Sequence, residues 1–439
     1  MIRSTLCILL MIMISVTASG LPLYANDINI SFDFDFSSPT SISKNPIEII
    51  NTDVTMLSKS KTKILIDLDV SDDLLPLELD GENPITLSLY SNELVDDYFI
   101  SDLNISQEDN NVQIEFELSQ SFLDIPNGDY ELELTLNIKD LDLPIISPRI
   151  SLGFFREFDY IKALDSIDGN QTALSLYFPD NDMENLIPIT RLVPYTNYAL
   201  RTTVNNLLQG PDESLGLPIN SPIPEVGKLD LKGGRLHIYL PEDIGVYNEY
   251  SSSARIALDS LVNSLIHVDG VNEIQFYFNN RILSDGFHGI AVDEPFYPSN
   301  DPKFYITYIT KTDRALLFPI PMESNNLGFD EIFNILKYGS PIFSYNYSIQ
   351  PSIPNKVILN EYSLDNGSLE LELNDEFLII FQENPKAAHL MIDSIVHTFT
   401  SLDIIDSVVL KVANTDLDLS ENIYLNQPLY PTSYINPEK

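Results

Sequence analysis

The chain has 439 residues, of which 44% are hydrophobic, and a formal net charge of −41 at pH 7. This length predicts two to four domains, and the hydrophobic content excludes a chain that is disordered throughout. The charge argues against nucleic acids and anionic lipid surfaces as partners, because both are bound through basic patches that displace counterions.

The amino terminus has the pattern of a secretory signal. Arg3 precedes an apolar run at 6–16, which is shorter than the ~20 residues that span a bilayer. We therefore predict a signal peptide at 1–25, with cleavage after Ala18 or Ala25, and an exported protein; an uncleaved signal that serves as an anchor is the alternative. The one cysteine, Cys7, lies inside the apolar run, which disfavours a lipoprotein and leaves the mature chain without disulfides.

Residues 26–156 show the period-2 alternation of strands with hardly any helical period. The alternating stretches are 28–36, 63–70, 85–90, 98–105, 112–118 and 130–138. Turns at Asp80-Gly81 and at 126–129 supply the positive φ angles that tight connections need. This pattern predicts an all-β domain, an antiparallel sandwich of immunoglobulin type.

The remaining chain contains a tandem repeat, predicted as domains 157–300 and 301–439. An amphipathic helix face is followed by an alternating strand, and both recur 134 residues later. The helix faces are Leu258, Leu261, Val262 and Leu265, then Ile392, Ile395, Val396 and Phe399; the strands carry Ile274, Phe276 and Phe278, then Val408, Leu410 and Val412.

Each repeat reads as β-β-α-β-β-α-β, a two-layer α+β domain with both helices on one face of a sheet. In the first copy a helix capped by Thr196 or Asn197 precedes a hairpin of 226–231 and 235–240 around Gly233-Gly234. In the second copy Asn366-Gly367 forms the hairpin turn, and Asn384-Pro385 begins the long helix.

These segments together resemble the GerMN domain of sporulation and spore-germination proteins. The resemblance rests on 207–211, on Ile223-Pro224, on the hairpin glycines and on 258–265 running to Gly270-Val271, and it covers about Thr172 to Glu438 as two copies. It implies an exported protein of the sporulation envelope and, through the relation of this domain to ring-building motifs, a role in assembly. The turn at Phe278-Asn279-Asn280 departs from the usual Val-Asp-Gly-like sequence.

The histidines and carboxylates offer no recognisable catalytic or metal motif. The five histidines are His237, His267, His288, His389 and His397, and no pair has the i, i+4 spacing of a helical zinc site; His397 is predicted to be a partly exposed structural residue. Three acidic clusters could offer calcium ligands but lack the loop spacing of a calcium site: Asp180, Asp182 and Glu184; Asp416, Asp418 and Glu421; and Asp67, Asp69, Asp72 and Asp73. We therefore predict no catalytic, cofactor or metal residues.

The sequence favours a non-catalytic, exported scaffold or adaptor of sporulation or spore germination, which acts through other envelope or sporulation-channel proteins or through self-assembly. The alternative is a peptidoglycan-binding module or cofactor of a cell-wall hydrolase, in which acidic faces and the many tyrosines contact glycan. A third interpretation, a secreted enzyme, requires a pocket with converging carboxylates. The expected location is the extracytoplasmic cell envelope or the space between the spore membranes.

Overall fold

The computed structural model describes residues 46–91, 93–139, 141, 144–240, 251–282, 290–323, 327–412 and 426–439. The predicted signal peptide and the predicted strand at 28–36 lie outside these ranges. All the elements below belong to one compact unit, Ile47–Lys439.

The amino-terminal elements are almost entirely strands. They are β1 (Ile47–Ser58), β2 (Lys61–Val70), β3 (Ile85–Ser91), β4 (Glu93–Ile100), β5 (Asn104–Glu108), β6 (Asn111–Ser119), a short helix α1 (Gln120–Leu123), β7 (Gly128–Leu136), β8 (Ile145–Ile146) and β9 (Ile150–Phe154). A 3-10 turn at Asp72–Leu74 follows β2. The mostly-β character predicted for this part of the chain is confirmed.

These strands form two antiparallel sheets that share one apolar core. One sheet has the order β1-β2-β6-β5 and the other β4-β3-β7-β8, with β9 also pairing with β7. The single strand predicted at 98–105 is wrong, because β4 ends at Ile100 and β5 begins at Asn104 in the other sheet. The inner faces alternate as period 2 requires: Ile64, Ile66 and Leu68 in β2 and Leu87 and Leu89 in β3 are fully buried.

The first repeat consists of β10 (Gln171–Pro179), β11 (Leu186–Pro194), α2 (Ala199–Gln209), β12 (Leu229–Lys232), β13 (Arg235–Leu240), α3 (Ser251–Ile266) and β14 (Glu273–Phe278), with a 3-10 turn at Glu213–Leu215. The second consists of β15 (Lys303–Ile309), β16 (Ala315–Pro321), α4 (Phe329–Tyr338), β17 (Ile349–Gln350), β18 (Leu359–Asp365), β19 (Ser368–Leu373), α5 (Glu376–Glu383), α6 (Pro385–Thr400), β20 (Ser407–Val412) and β21 (Pro428–Leu429). The two long helices and the strands after them keep the 134-residue offset at both of their ends.

The strands of each repeat divide into two sheets, so the prediction of one sheet is wrong. β10 pairs with β11, while β12, β13 and β14 form a separate sheet in which β13 and β14 are parallel. In the second repeat β16-β15-β17 and β18-β19-β20-β21 repeat this division. In the first copy two hydroxyl groups of the long helix bond to the backbone of Tyr177 in β10, and in the second copy β17 pairs with β15 beside the equivalent bonds.

Three local predictions about helices and turns can be compared with the structure. Asn366 and Gly367 have φ of 49° and 81°, as a two-residue hairpin turn requires, and the side chain of Asn384 caps α6. α2 instead begins after Tyr198 without a side-chain cap, so the predicted Thr196 or Asn197 cap is wrong. α5 is a helix that the sequence analysis did not predict.

The segment after the amino-terminal sheets runs along the second repeat before it enters the first. Arg156 is 7% exposed, and its guanidinium donates to Asp313 Oδ1 at 2.7 Å and to the carbonyl oxygens of Thr310 and Tyr347. Gln350 accepts a hydrogen bond from the backbone N–H of Asn127 at 2.7 Å. The amino-terminal sheets therefore contact the repeat that is farther away in sequence.

One apolar core runs through both repeats. It includes Leu176, Leu261 and Phe276 from the first copy and Ile306 and Ile395 from the second. The prediction that Leu258, Leu261 and Leu265 face a core is confirmed, since each is at most 1% exposed.

Candidate functional site

The four histidines that the structure describes each pack against an aromatic ring; His288 lies outside the described residues. Ring centroids are 5.4 Å apart for His237 and Tyr277, 5.8 Å for His267 and Tyr177, 5.4 Å for His389 and Phe381 and 5.3 Å for His397 and Tyr305. Aromatic packing holds these rings in place, and His267 and His397 line a common cavity.

His397 is more buried than the sequence suggested. The expectation was a partly exposed side chain, but His397 is 6% exposed on the inner side of α6. Burial lowers its pKa to about 4, so the imidazole is neutral at pH 7. The apolar face of α6 is wider than the i, i+3, i+4 pattern indicated, because β15 covers the helix on the side where His397 lies.

Among the described residues no group of three or more carboxylate or histidine side chains is placed to hold a metal ion. Asp180 is 3% exposed, and its two carboxylate oxygens accept from the backbone N–H of Glu184 and the side chain of Asn185, at 3.0 and 2.9 Å. Its carboxylate thus organises its own turn. Asp67 accepts a hydrogen bond from Gln113. The cluster at Asp416, Asp418 and Glu421 lies outside the described residues.

The long helix of each repeat is joined to the first strand of that repeat by two buried hydroxyl groups. Ser260 Oγ donates to the carbonyl oxygen of Tyr177 at 2.6 Å, and Ser264 Oγ accepts from the Tyr177 N–H at 2.9 Å. In the second copy Ser394 Oγ donates to Tyr305 O at 2.5 Å and Thr398 Oγ1 accepts from Tyr305 N at 2.9 Å. The internal repeat therefore extends to individual hydrogen bonds.

The carboxyl-terminal segment holds the two repeats together. Asn436 donates through Nδ2 to Pro188 O in β11 and to Leu317 O in β16, both at 2.8 Å, and its Oδ1 accepts from Leu317 N. Arg191 forms a bidentate ion pair with Glu438 at 2.6 and 2.5 Å, with both side chains 11% exposed. These contacts fix the distance and the orientation between the copies.

Each repeat presents a hairpin strand at the edge of its second sheet. β12 pairs with β13 alone and β18 with β19 alone among the described strands. In β18 every residue from Asn360 to Asp365 is exposed, including Tyr362 at 48% and Leu364 at 40%; in β12 Leu231 is 39% exposed. We refer to β12 and β18 as the exposed edges. An exposed edge with apolar side chains can accept another strand.

The sequence did not indicate the residues that join the copies. Arg191 stands alone in an otherwise apolar strand, which is a weak signal of a buried ion pair. Asn436 gave no signal, because its partners at 188 and 317 are remote along the chain.

The family model for sporulation and spore germination, Germane, matches residues 175–284 and 334–418. The first segment covers most of the first repeat, and the second begins inside α4 and covers the later part of the second repeat. Both repeats carry Germane domains, and the chain is GerM-like. The predicted GerMN resemblance is confirmed. No curated protein matches the chain in sequence.

Solved structures, among them GerMN domains, are similar to parts of the chain. The tandem GerMN domains of the sporulation protein GerM from Bacillus subtilis have 17% identity and a TM-score of 0.45, covering 61% of this chain and 99% of that one. The first GerMN domain of the same protein has 17% identity and a TM-score of 0.22, covering 30% and 94%. A putative lipoprotein from Clostridium perfringens has 17% identity and a TM-score of 0.20, covering 30% and 93%.

The family places the GerM-like chain in sporulation or spore germination. Within the described residues no helix has both the length and the hydropathy needed to cross a membrane.

Proposed function

We propose that this GerM-like protein is an exported, non-catalytic scaffold or adaptor of sporulation or germination that acts by protein–protein assembly in the cell or spore envelope. The observation that carries the proposal is the pair of exposed edges, β12 and β18, at equivalent positions of the two repeats. A partner strand would hydrogen-bond to such an edge through its main chain, and exposed side chains such as Tyr362 would select the partner.

The joined repeats favour assembly because they hold the two edges as a rigid pair. Asn436 and the Arg191–Glu438 ion pair link β11 to the tail, and the apolar core continues from one repeat into the other. Two edges held at a fixed distance can bind a partner, or a second copy of the chain, at two points at once, which raises the affinity above that of a single edge.

The excess of negative charge restricts the partners. Self-repulsion opposes association of two such chains at low ionic strength and is screened as salt is added. A partner with a basic surface avoids this repulsion. We therefore expect either a basic envelope protein or salt-dependent self-association, and no nucleic acid.

The amino-terminal sheets are proposed to be an immunoglobulin-type spacer. With the strands lettered in chain order as A, B, C, C′, D, E, F and G, the orders β1-β2-β6-β5 and β4-β3-β7-β8 correspond to A-B-E-D and C′-C-F-G, an arrangement of that type. Through Arg156 this domain is fixed to the second repeat.

The second candidate is a peptidoglycan-binding module or cofactor of a wall hydrolase, which the polar cavity between the repeats favours. Two experiments separate the candidates: pull-down of the purified chain on peptidoglycan or spore cortex, and co-purification of the tagged chain from sporulating cells. The scaffold proposal expects stoichiometric envelope proteins to co-purify, and retention of that complex after muramidase treatment. Sedimentation with purified peptidoglycan, with no protein partner in cells, would favour the second candidate.

A further inference from the structure

A cavity of about 520 Å³ lies between the two repeats, walled by β10, by the ends of α3 and α6 and by the tail at 431–435. This volume falls in the range of small-molecule sites, roughly 300–1,000 Å³. Both copies and the carboxyl-terminal segment contribute walls, so the cavity exists only because the repeats are joined.

The cavity contains a buried polar group without a partner. His397, which lines the cavity from α6, is 6% exposed, and no hydrogen bond of its ring nitrogens is found within the described part of the chain. A bound ligand would supply the missing hydrogen bonds of this buried imidazole. This observation is independent of the shape of the cavity.

The two tyrosines of the lining and His397 are neutral and can both donate and accept. Tyr177 and Tyr305 enter the lining from the equivalent strands of the two copies, and burial raises the pKa of both phenols, so they stay protonated. Burial alone lowers the pKa of His397 to about 4, which leaves a neutral imidazole with one donor and one acceptor nitrogen. His267 stacks on Tyr177 at the same wall.

The lining contains no lysine or arginine, and its one carboxylate is Asp269. An anionic ligand would therefore lack a counter-charge and would meet a protein of strongly negative charge. Aromatic rings combined with neutral hydroxyl and imidazole groups suit a ligand that has apolar C–H faces and many hydroxyl groups.

We propose that the cavity between the repeats binds an uncharged sugar, with Tyr305 and His397 donating to and accepting from its hydroxyl groups. This site is separate from the exposed edges β12 and β18, so it does not depend on the assembly proposal. In a protein that is also held by partners, such a site would let the joined repeats contact a neutral glycan unit.

The test uses the full mature chain and measures binding by saturation-transfer NMR and isothermal titration. N-acetylglucosamine and its β-1,4 dimer are the uncharged probes; N-acetylmuramic acid and glucose 6-phosphate are the anionic ones. We expect the uncharged probes to bind and the anionic probes to bind at least tenfold more weakly. Absence of binding by both uncharged probes would overturn the proposal. Equal binding of the anionic and uncharged probes would overturn it as well.

Two conservative variants locate the site. His397→Phe removes only the ring nitrogens and Tyr305→Phe only the phenol oxygen, so both should fold, and each should weaken sugar binding at least fivefold. His389→Phe is the matched control on the same helix, because His389 packs against Phe381 and does not line the cavity. If His397→Phe and Tyr305→Phe bind the sugar as tightly as the wild type, with melting temperatures unchanged, the assigned site is wrong.

Discussion

Ser260 donates a hydrogen bond to the carbonyl oxygen of Tyr177 at 2.6 Å, and the second copy repeats this bond between its own serine and tyrosine at 2.5 Å. Ser260 is fully buried. Ser260→Ala would leave a buried carbonyl without its donor, so we expect a loss of about 1–3 kcal/mol in the free energy of unfolding. Urea titration followed by circular dichroism measures it.

Ser253→Ala is the matched control, since Ser253 lies in the first turn of the same helix. We expect its effect to stay below about 0.5 kcal/mol. Equal effects of the two substitutions would show that the Ser260 hydrogen bond does not stabilise the repeat.

The ion pair of Arg191 and Glu438 supports a second prediction. Both partners are 11% exposed, and Glu438→Ala would leave the guanidinium buried without its counter-charge. We expect a loss of about 3 kcal/mol, shared by both repeats because the pair joins them. The exposed helical pair of Arg255 and Asp259 is the control, and Asp259→Ala should cost about 0.5 kcal/mol. If the Glu438→Ala chain were as stable as the Asp259→Ala chain, the ion pair of Arg191 and Glu438 would not stabilise the junction of the repeats.

The burial of His397 leads us to predict that the folded chain loses stability as the pH falls. Its pKa is about 4 when folded and near 6.5 when unfolded, so the unfolded chain binds the proton first as the pH falls. Stability should therefore be lost between about pH 6.5 and 4, by up to about 3 kcal/mol from this residue. His397→Gln should reduce the slope of unfolding free energy against pH in that window. An unchanged slope would contradict the burial of the imidazole.

Asp393 should act in the opposite direction. Burial raises its pKa although the Tyr160 hydroxyl donates to it at 2.6 Å and Ala163 N at 3.0 Å. Its stabilising contribution is present at low pH and lost as the pH rises through the raised pKa. Asp393→Asn keeps an acceptor for both donors and should raise the melting temperature at pH 7 but not at pH 3. A lower melting temperature at pH 7 would show that the charged form is the stabilising one.

The sequence predicted those parts of the fold that depend on local periodicity. The i, i+3, i+4 spacing around Leu261 identified a buried helix face, and the alternation from Ile274 to Phe278 identified the next strand. The division into two sheets was not predicted, because it depends on which strands pair across long stretches of the chain. Local periodicity does not determine that pairing.

The candidate sites were less predictable than the fold. A strand such as β18 lies at an edge because it has a neighbouring strand on one side only. That is a property of the order of strands in the sheet, which local sequence patterns do not give. The cavity arises where two copies meet, so neither repeat contains the signal by itself. Asn436 likewise acts only through partners in both copies.

The most direct test of the assembly account is the molar mass of the chain by light scattering from low to molar salt, with and without Tyr362→Asp. We expect a monomer at low salt, association as salt screens the charge, and no association of the Tyr362→Asp chain, because the added carboxylate lies on the exposed edge β18. Ile404→Asp adds the same charge at an exposed site outside any strand and should associate like the wild type. A chain that stays monomeric at every salt concentration and captures no envelope protein would contradict the account.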